Sequence, residues 1–146
     1  MIKLFNINNF KVDTALFGNH LNGHYVQELE ENFASYVGAK YACALNSATS
    51  AIFLSTLNKN ALFNVPSIIP PVVVNAIINA GNKYQFIDNI DWVGSSYILH
   101  DFGDYKIIDS AQRVDRNQFL LEASNDDLMI FSFYPTKPVG SIDGGI

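Results

Sequence analysis

"YACALNSATSAIFLSTLNKNALFNV", residues 41–65, decides the reading of the fold. An apolar run, Tyr41–Leu45, stops at the polar turn Asn46–Ser50. Helix-forming residues then continue to Asn58, and a second apolar run spans Ala61–Val65. Ser, Thr and Asn gather where a helix begins, because their side chains accept hydrogen bonds from its free amides. The stretch therefore reads as strand, helix, strand. The two runs are apolar without alternation, as strands covered on both faces are. Together they predict one unit of a parallel α/β sheet.

The same pattern extends on both sides. In "VQELEENFASYVGAK", residues 26–40, Val26, Leu29, Phe33 and Val37 fall at helical spacing, with acids near the start and Gly38 as a stop. Pro70 and Pro71 suit the start of a further helix through Ala80, capped by Gly81. Strands are expected at 83–88, 96–100, 105–109 and 128–133, and an irregular arm at 1–25. "DFGD", residues 101–104, is too short for a parallel crossover, so it must form a hairpin or a very tight link. The expected whole is one domain over 1–146, a three-layer α/β/α arrangement around a mostly parallel sheet.

Composition narrows the function. Hydrophobic residues make up 49% and charged residues 16%, which favours a globular chain over a disordered one. A net charge of -5 supplies no basic patch for phosphate backbones, so no nucleic-acid partner is expected. The one cysteine, Cys43, lies in an apolar run and reads as a small core residue, with no intrachain disulfide possible. The apolar segment 65–81 is short and broken by Pro and Asn, and "MIKLFNINNF" lacks the pattern of a signal peptide. The expectation is a soluble, cytoplasmic protein with no membrane partner. His20, His24 and His100 show no zinc-ligand spacing, so no metal is expected.

Polar residues recur where apolar runs end: Ser47-Ala48-Thr49, Asp88, His100, Asp109 with Gln112, and Ser132 with Lys137 soon after. Ligands of open parallel sheets bind at the carboxyl ends of the strands, so parallel strands would bring these sets to one edge. Each has a plain explanation alone. The Ser-Ala-Thr turn is a helix cap, Asp109 a turn residue and Lys137 a solvated surface lysine. In combination they match the needs of pyridoxal phosphate. Its phosphate wants a helix N-terminus, its ring nitrogen a carboxylate, and its aldehyde a lysine amine for a Schiff base.

Several segments also resemble one family: "VGAKYACALNSATSAI", "VPSIIPPVVVNAIINAG", "QFID", "IIDSAQ" and "SFYPTKPVGSIDGGI", in that order from about residue 17 to the end. The last two are the most specific. The chain is similar to the nucleotide-sugar aminotransferases of the DegT/DnrJ/StrS group, which are fold-type I pyridoxal phosphate enzymes. The resemblance implies the large domain of that fold, with Lys137 as the Schiff-base lysine and proton carrier. It implies Asp109 at the pyridinium nitrogen and Gln112 beside the ring and its phenolic oxygen. The Ser47-Ala48-Thr49 turn and Ser132 would hold the phosphate. It also implies a homodimer, an amino donor, and a nucleotide-linked keto-sugar as acceptor, in polysaccharide biosynthesis.

The pattern departs from the family in four places. Ala48 stands where the family has glycine, and Pro70 where it has an aromatic that stacks on the ring. The family's helix between the "YILH" and "YKIID" strands is missing. The chain also stops at Ile146, so the C-terminal small domain is expected to be absent and the large domain incomplete. Two other readings therefore stand beside the transaminase. One is a shortened, inactive cofactor-binding or dimerisation module of the same family, and the other a phosphate binder with no Schiff base.

Overall fold

The computed structural model describes Lys11 and residues 23–146. Of the expected arm over residues 1–25, residues 1–10 and 12–22, with His20, lie outside the described residues. His24 was expected in that arm but is the first residue of helix α1, His24–Val37, which ends on Gly38 at φ 77°. Phe33, Ala34 and Val37 are buried on it, whereas Val26 and Leu29 are exposed, so the predicted apolar stripe meets the core only in its second half.

Helix α2 runs Ala48–Thr56, strand β1 Leu62–Pro66, helix α3 Pro71–Asn79 and strand β2 Lys83–Ile87. β1 and β2 pair in parallel, with Leu62 opposite Lys83 and Pro66 opposite Ile87, so α3 is the crossover. Asn82 fastens this unit. Its Nδ2 donates to the Thr56 carbonyl at 2.7 Å, and its Oδ1 accepts from the Ala61 amide at 3.1 Å.

Strands β3 (Tyr97–Asp101), β4 (Lys106–Asp109) and β5 (Leu128–Ile130) form a second sheet in that order. β4 and β5 are parallel, but β3 and β4 are antiparallel. The link is the hairpin that "DFGD" allows. The Phe102 amide donates to Tyr105 O at 3.0 Å and the Gly103 amide to Asp101 Oδ1 at 2.8 Å, with Gly103 at φ 91°. Reversal of β3 has one direct consequence. His100, expected at the common edge, sits at the opposite end of the sheet, packed between the tilted rings of Phe63 and Phe102 at centroid distances of 4.4 and 4.3 Å. Burial lowers its pKa, against a smaller opposing effect from Asp101.

Alternate residues of β5 and its continuation serve opposite faces. Ile130 joins Phe63, Val65, Val73, Ile77 and Ile107 under α2 and α3. Met129, Phe131 and Phe133 pack instead against Phe33 and Val37 of α1 and Phe119 of a short helix, α4, Gln118–Glu122. This is the expected three-layer α/β/α order, with a mostly parallel pairing interrupted at β3. Helix α4 had no counterpart in the sequence reading.

The run Tyr41–Leu45 does not form the expected strand. Only Leu45 and Ser47 bridge to another segment, at Gly145 and Gly144. The Ala44 amide is taken by the Glu30 carboxylate at 2.8 Å rather than by a neighbouring strand. Cys43 is exposed, not a core residue. Among the described residues, no helix is long and apolar enough to cross a membrane, and no cluster of His, Cys, Asp and Glu is arranged for a metal.

The end of the chain binds the layers together. Phe131 and Ile146 exchange backbone hydrogen bonds at 2.8 and 3.2 Å, and Leu45 and Gly145 at 2.8 and 3.0 Å. A Cβ on Gly145 would stand 2.3 Å from the Ala48 amide nitrogen, so only glycine allows this approach. Gly145→Ala should destabilise the chain by about 3 kcal/mol, the upper part of the overpacking range, because the clash is with backbone rather than a movable side chain. Urea denaturation measures it, and a loss within about 0.5 kcal/mol would contradict the close approach.

Candidate active site

Three segments converge at the start of α2. Ser132 bridges to Gly145, Ser47 to Gly144, and Gly145 lies against Ala48. Ser132 therefore stands beside the first turn of α2, although 80 or so residues of sequence separate them. Ser47 is the N-cap, with its hydroxyl accepting from the Ser50 amide at 3.1 Å. The capping explanation thus holds for Ser47, and the cap leaves the earlier amides of the helix directed outward, where an anion is favoured. Ala48 is the first helical residue and is not among the residues with positive φ, so glycine is not required there for backbone geometry.

These segments form one wall of a cavity of about 500 Å³. Ser47, Ala48, Thr49, Asp109, Gln112, Ser132 and Lys137 all line it, so the residues expected to hold the cofactor face the same space. Pro70 lines it too, as the residue before α3, together with the apolar side chains of Ile52, Ile69 and Val73. Asp88 and His100 do not line it. Sequence reasoning missed Tyr97, Trp92 and Tyr134, which also face the cavity.

Asp109 ends β4 and is 5% exposed. Its Oδ1 accepts from the Ala111 amide at 3.0 Å and its Oδ2 from the Tyr97 hydroxyl at 3.1 Å. Burial pushes its carboxyl above the usual range. The Ala111 and Tyr97 hydrogen bonds and the positive charge of Lys137 offset this only in part. Tyr97 is raised in turn, first by its own burial and then by the Asp109 charge and hydrogen bond. The cavity thus holds a carboxylate that would gain from a cationic partner.

Lys137 lies in the turn after β5, where its amide donates to Tyr134 O and its carbonyl accepts from Gly140 N, both at 2.9 Å. Gln112 is held by the loop after β2, with its Oε1 accepting from the Gly94 amide at 3.0 Å. Behind the site, Gln118 is buried and donates to Ser110 Oγ at 2.8 Å. Glu122 accepts from Arg113 at 2.8 Å and from Ser96. This network fixes Ser110, the neighbour of Asp109 in the chain, from the α4 side.

The donor set fits pyridoxal phosphate. A helix N-terminus with Ser and Thr hydroxyls suits its phosphate, the buried Asp109 its ring nitrogen and Lys137 its aldehyde. Two consequences are testable without any ligand. Ser47→Ala should cost about 1 kcal/mol through the lost cap. Asp109 has a folded pKa above its unfolded one, so stability present below the ordinary carboxylate range is lost as pH rises through the folded value. Asp109→Asn should therefore raise stability at pH 7, with the gain shrinking on acidification. Denaturation at several pH values measures both, and a less stable Asp109→Asn protein at pH 7 would contradict the electrostatic account.

The family model described as the DegT/DnrJ/EryC1/StrS aminotransferase family matches residues 8–92. A UDP-4-amino-4,6-dideoxy-N-acetyl-beta-L-altrosamine transaminase of Campylobacter jejuni (strain 81-176) is 30% identical over 163 aligned positions, covering 84% of this chain and 43% of that protein. The spore coat polysaccharide biosynthesis protein SpsC of Bacillus subtilis is 30% identical, covering 85% of this chain and 41% of its own length. This chain spans less than half the length of these relatives. The aligned stretches also exceed the length of this chain, so the relatives carry internal residues that it lacks. Among solved structures, the proposed sugar aminotransferase Spr1654 of Streptococcus pneumoniae in its PLP form shares the fold at a TM-score of 0.69 and 16% identity. That match covers 97% of this chain and 51% of that one. S. venezuelae DesV matches at 0.59 and 18% identity, covering 88% and 45%. By family model and relatives alike, the chain belongs to the DegT/DnrJ/EryC1/StrS aminotransferase family.

Proposed function

We propose that this chain binds pyridoxal phosphate, with Lys137 as its covalent anchor, and forms the cofactor-holding part of a transaminase acting on a nucleotide-linked keto-sugar. One observation carries the reading: Lys137, the buried Asp109 and the N-terminus of α2 face a single cavity in a member of an aminotransferase family. When bound, the cofactor supplies an electron sink and a carbonyl that takes up and releases an amine.

The residues of the chain do the rest. The α2 N-terminus, with Ser47 and Thr49, and Ser132 beside it hold the phosphate, where helix dipole and hydroxyls favour an anion. Asp109 holds a proton on the ring nitrogen by pairing with it as a carboxylate, and that pairing offsets the burial that otherwise raises its pKa. Gln112, its side chain braced by the Gly94 amide, would lie beside the phenolic oxygen. Lys137 removes and returns the proton at the reactive carbon, within reach because the turn after β5 points it into the cavity. Ile52, Ile69 and Val73 keep that wall apolar and restrict water.

The substrate class rests on the relatives, one a UDP-sugar transaminase and another a polysaccharide biosynthesis protein. An amino donor belongs to the same reading. A homodimer is supported by the exposed apolar side chains of Phe86, Leu120, Leu121 and Leu128, which a second copy could cover. The cytoplasm is the proposed compartment, consistent with a single exposed cysteine.

A second reading, cofactor binding without turnover, is favoured by Pro70 at the stacking position and by the reversed β3. It predicts attachment at Lys137 with no amine transfer from any donor, and steady transfer would exclude it. The first experiment is borohydride reduction of the chain with pyridoxal phosphate, followed by peptide mapping. One equivalent of label on Lys137, absent from Lys137→Ala, is the expected result. Label scattered over surface lysines would overturn the assignment.

A further inference from the structure

We propose that Tyr97 is the positioning residue for Asp109, holding its carboxylate in the orientation and charge state that the ring nitrogen of a pyridoxal-type cofactor requires. The inference rests on the cofactor site proposed above and assigns a role to a residue that the sequence did not point to.

β3 and β4 are antiparallel, and Tyr97 is the direct partner of Asp109 in their register. Directly opposed residues of an antiparallel pair share a face, with their Cβ atoms about 5 Å apart. Were β3 parallel to β4, its first residue would lie at the far end of the strand, about 13 Å away for a five-residue strand. Reversal of β3 therefore removes His100 from the site and delivers Tyr97 in its place. The delivered hydroxyl is used: it donates to Asp109 Oδ2 at 3.1 Å while the Ala111 amide holds Oδ1 at 3.0 Å. Each oxygen has one fixed donor, so the plane of the carboxylate is set. Each also keeps a lone pair for a further donor.

A register irregularity between Ile98 and His100 completes the geometry. Counting from the turn, Asp101 faces Lys106 and His100 faces Ile107. Leu99 is then passed over, and Ile98 faces Ile108. Without that bulge Ile98 would stand opposite Asp109, and an apolar side chain would meet the buried carboxylate. The bulge places a hydroxyl there instead.

The titratable groups around Asp109 are few. β3 presents Tyr97, the turn after β5 presents Lys137 and Tyr134, and Asp143 also lines the cavity, while α2 and α3 contribute only hydroxyl and apolar groups to it. The Tyr97 hydrogen bond works with Lys137 against the burial that favours the neutral acid. Loss of the hydroxyl should therefore raise the pH at which Asp109 becomes a carboxylate.

The test uses pyridoxamine phosphate, which has no aldehyde and so does not depend on covalent chemistry at Lys137. Binding is followed through Trp92, the sole tryptophan, which lines the same cavity. Affinity is measured from acid to alkaline pH for the wild type, Tyr97→Phe, Asp109→Asn and the double variant. Tyr97→Phe should bind about tenfold more weakly at pH 7, the scale of one hydrogen bond to a charged group. Its acid limb should move to higher pH and its affinity recover in alkali. In the Asp109→Asn background, adding Tyr97→Phe should cost little more. A Tyr97→Phe profile that overlays the wild type, whatever happens to thermal stability, would overturn the proposal, as would equal losses in both backgrounds. Normal pyridoxamine phosphate binding with no label at Lys137 would remove the anchor alone. No binding by the wild type would remove both readings.

Discussion

The backbone of Gly145 lies against the peptide between Ser47 and Ala48, closer than any side chain permits. The rest of the molecule depends on this contact. It aligns Gly144–Ile146 between Leu45–Ser47 on one side and Phe131–Phe133 on the other, through paired backbone hydrogen bonds. Those bonds carry the sheet past β5 and bring Ser132 to the first turn of α2. Phe131 and Ile146 then close the apolar layer beneath α1, while Ile130 closes the one beneath α2 and α3. A cavity with a helix N-terminus on one wall follows from the way these segments are laced together, and Lys137 enters it from the loop that the lacing closes.

A second constraint comes from four residues. "DFGD" cannot carry a strand back for a parallel pairing, so β3 reverses. The larger relatives carry internal residues that this chain lacks, and their alignments leave gaps within it. Reversal changes which end of β3 meets the site and gives Asp109 a tyrosine neighbour. It also separates the two sheets. β1 and β3 meet through side chains such as Phe63 and His100, while their ladders stay apart. A short connection thus sets the chemistry around a residue that lies outside it.

Much of this was legible in the sequence, for identifiable reasons. α2, β1, α3 and β2 carry unbroken apolar runs bounded by Pro, Gly and Asn, and local signals suffice there. Most of the candidate site residues were legible because they follow apolar runs, and Ser47, Ala48, Thr49, Asp109, Gln112, Ser132 and Lys137 face the cavity, whereas Asp88 and His100 do not. What was not legible depends on partners. Tyr41–Leu45 looks like a strand, yet the chain end offers it only one bridge, at Leu45, and Glu30 takes an amide it would have used. Helix α4 is five residues long, too short for periodicity to reveal. Tyr97 was hidden by the bulge at Leu99. Even a correct hairpin, counted from its turn, places Ile98 rather than Tyr97 opposite Asp109.

The measurement that bears most directly on the account is a crystal structure of this chain grown with pyridoxal phosphate. The account predicts continuous density from Lys137 Nζ to the ring, the ring nitrogen within hydrogen-bond distance of Asp109, and the phosphate at the α2 N-terminus beside Thr49 and Ser132. A ring turned away from Asp109, or a molecule seated outside this cavity, would contradict it.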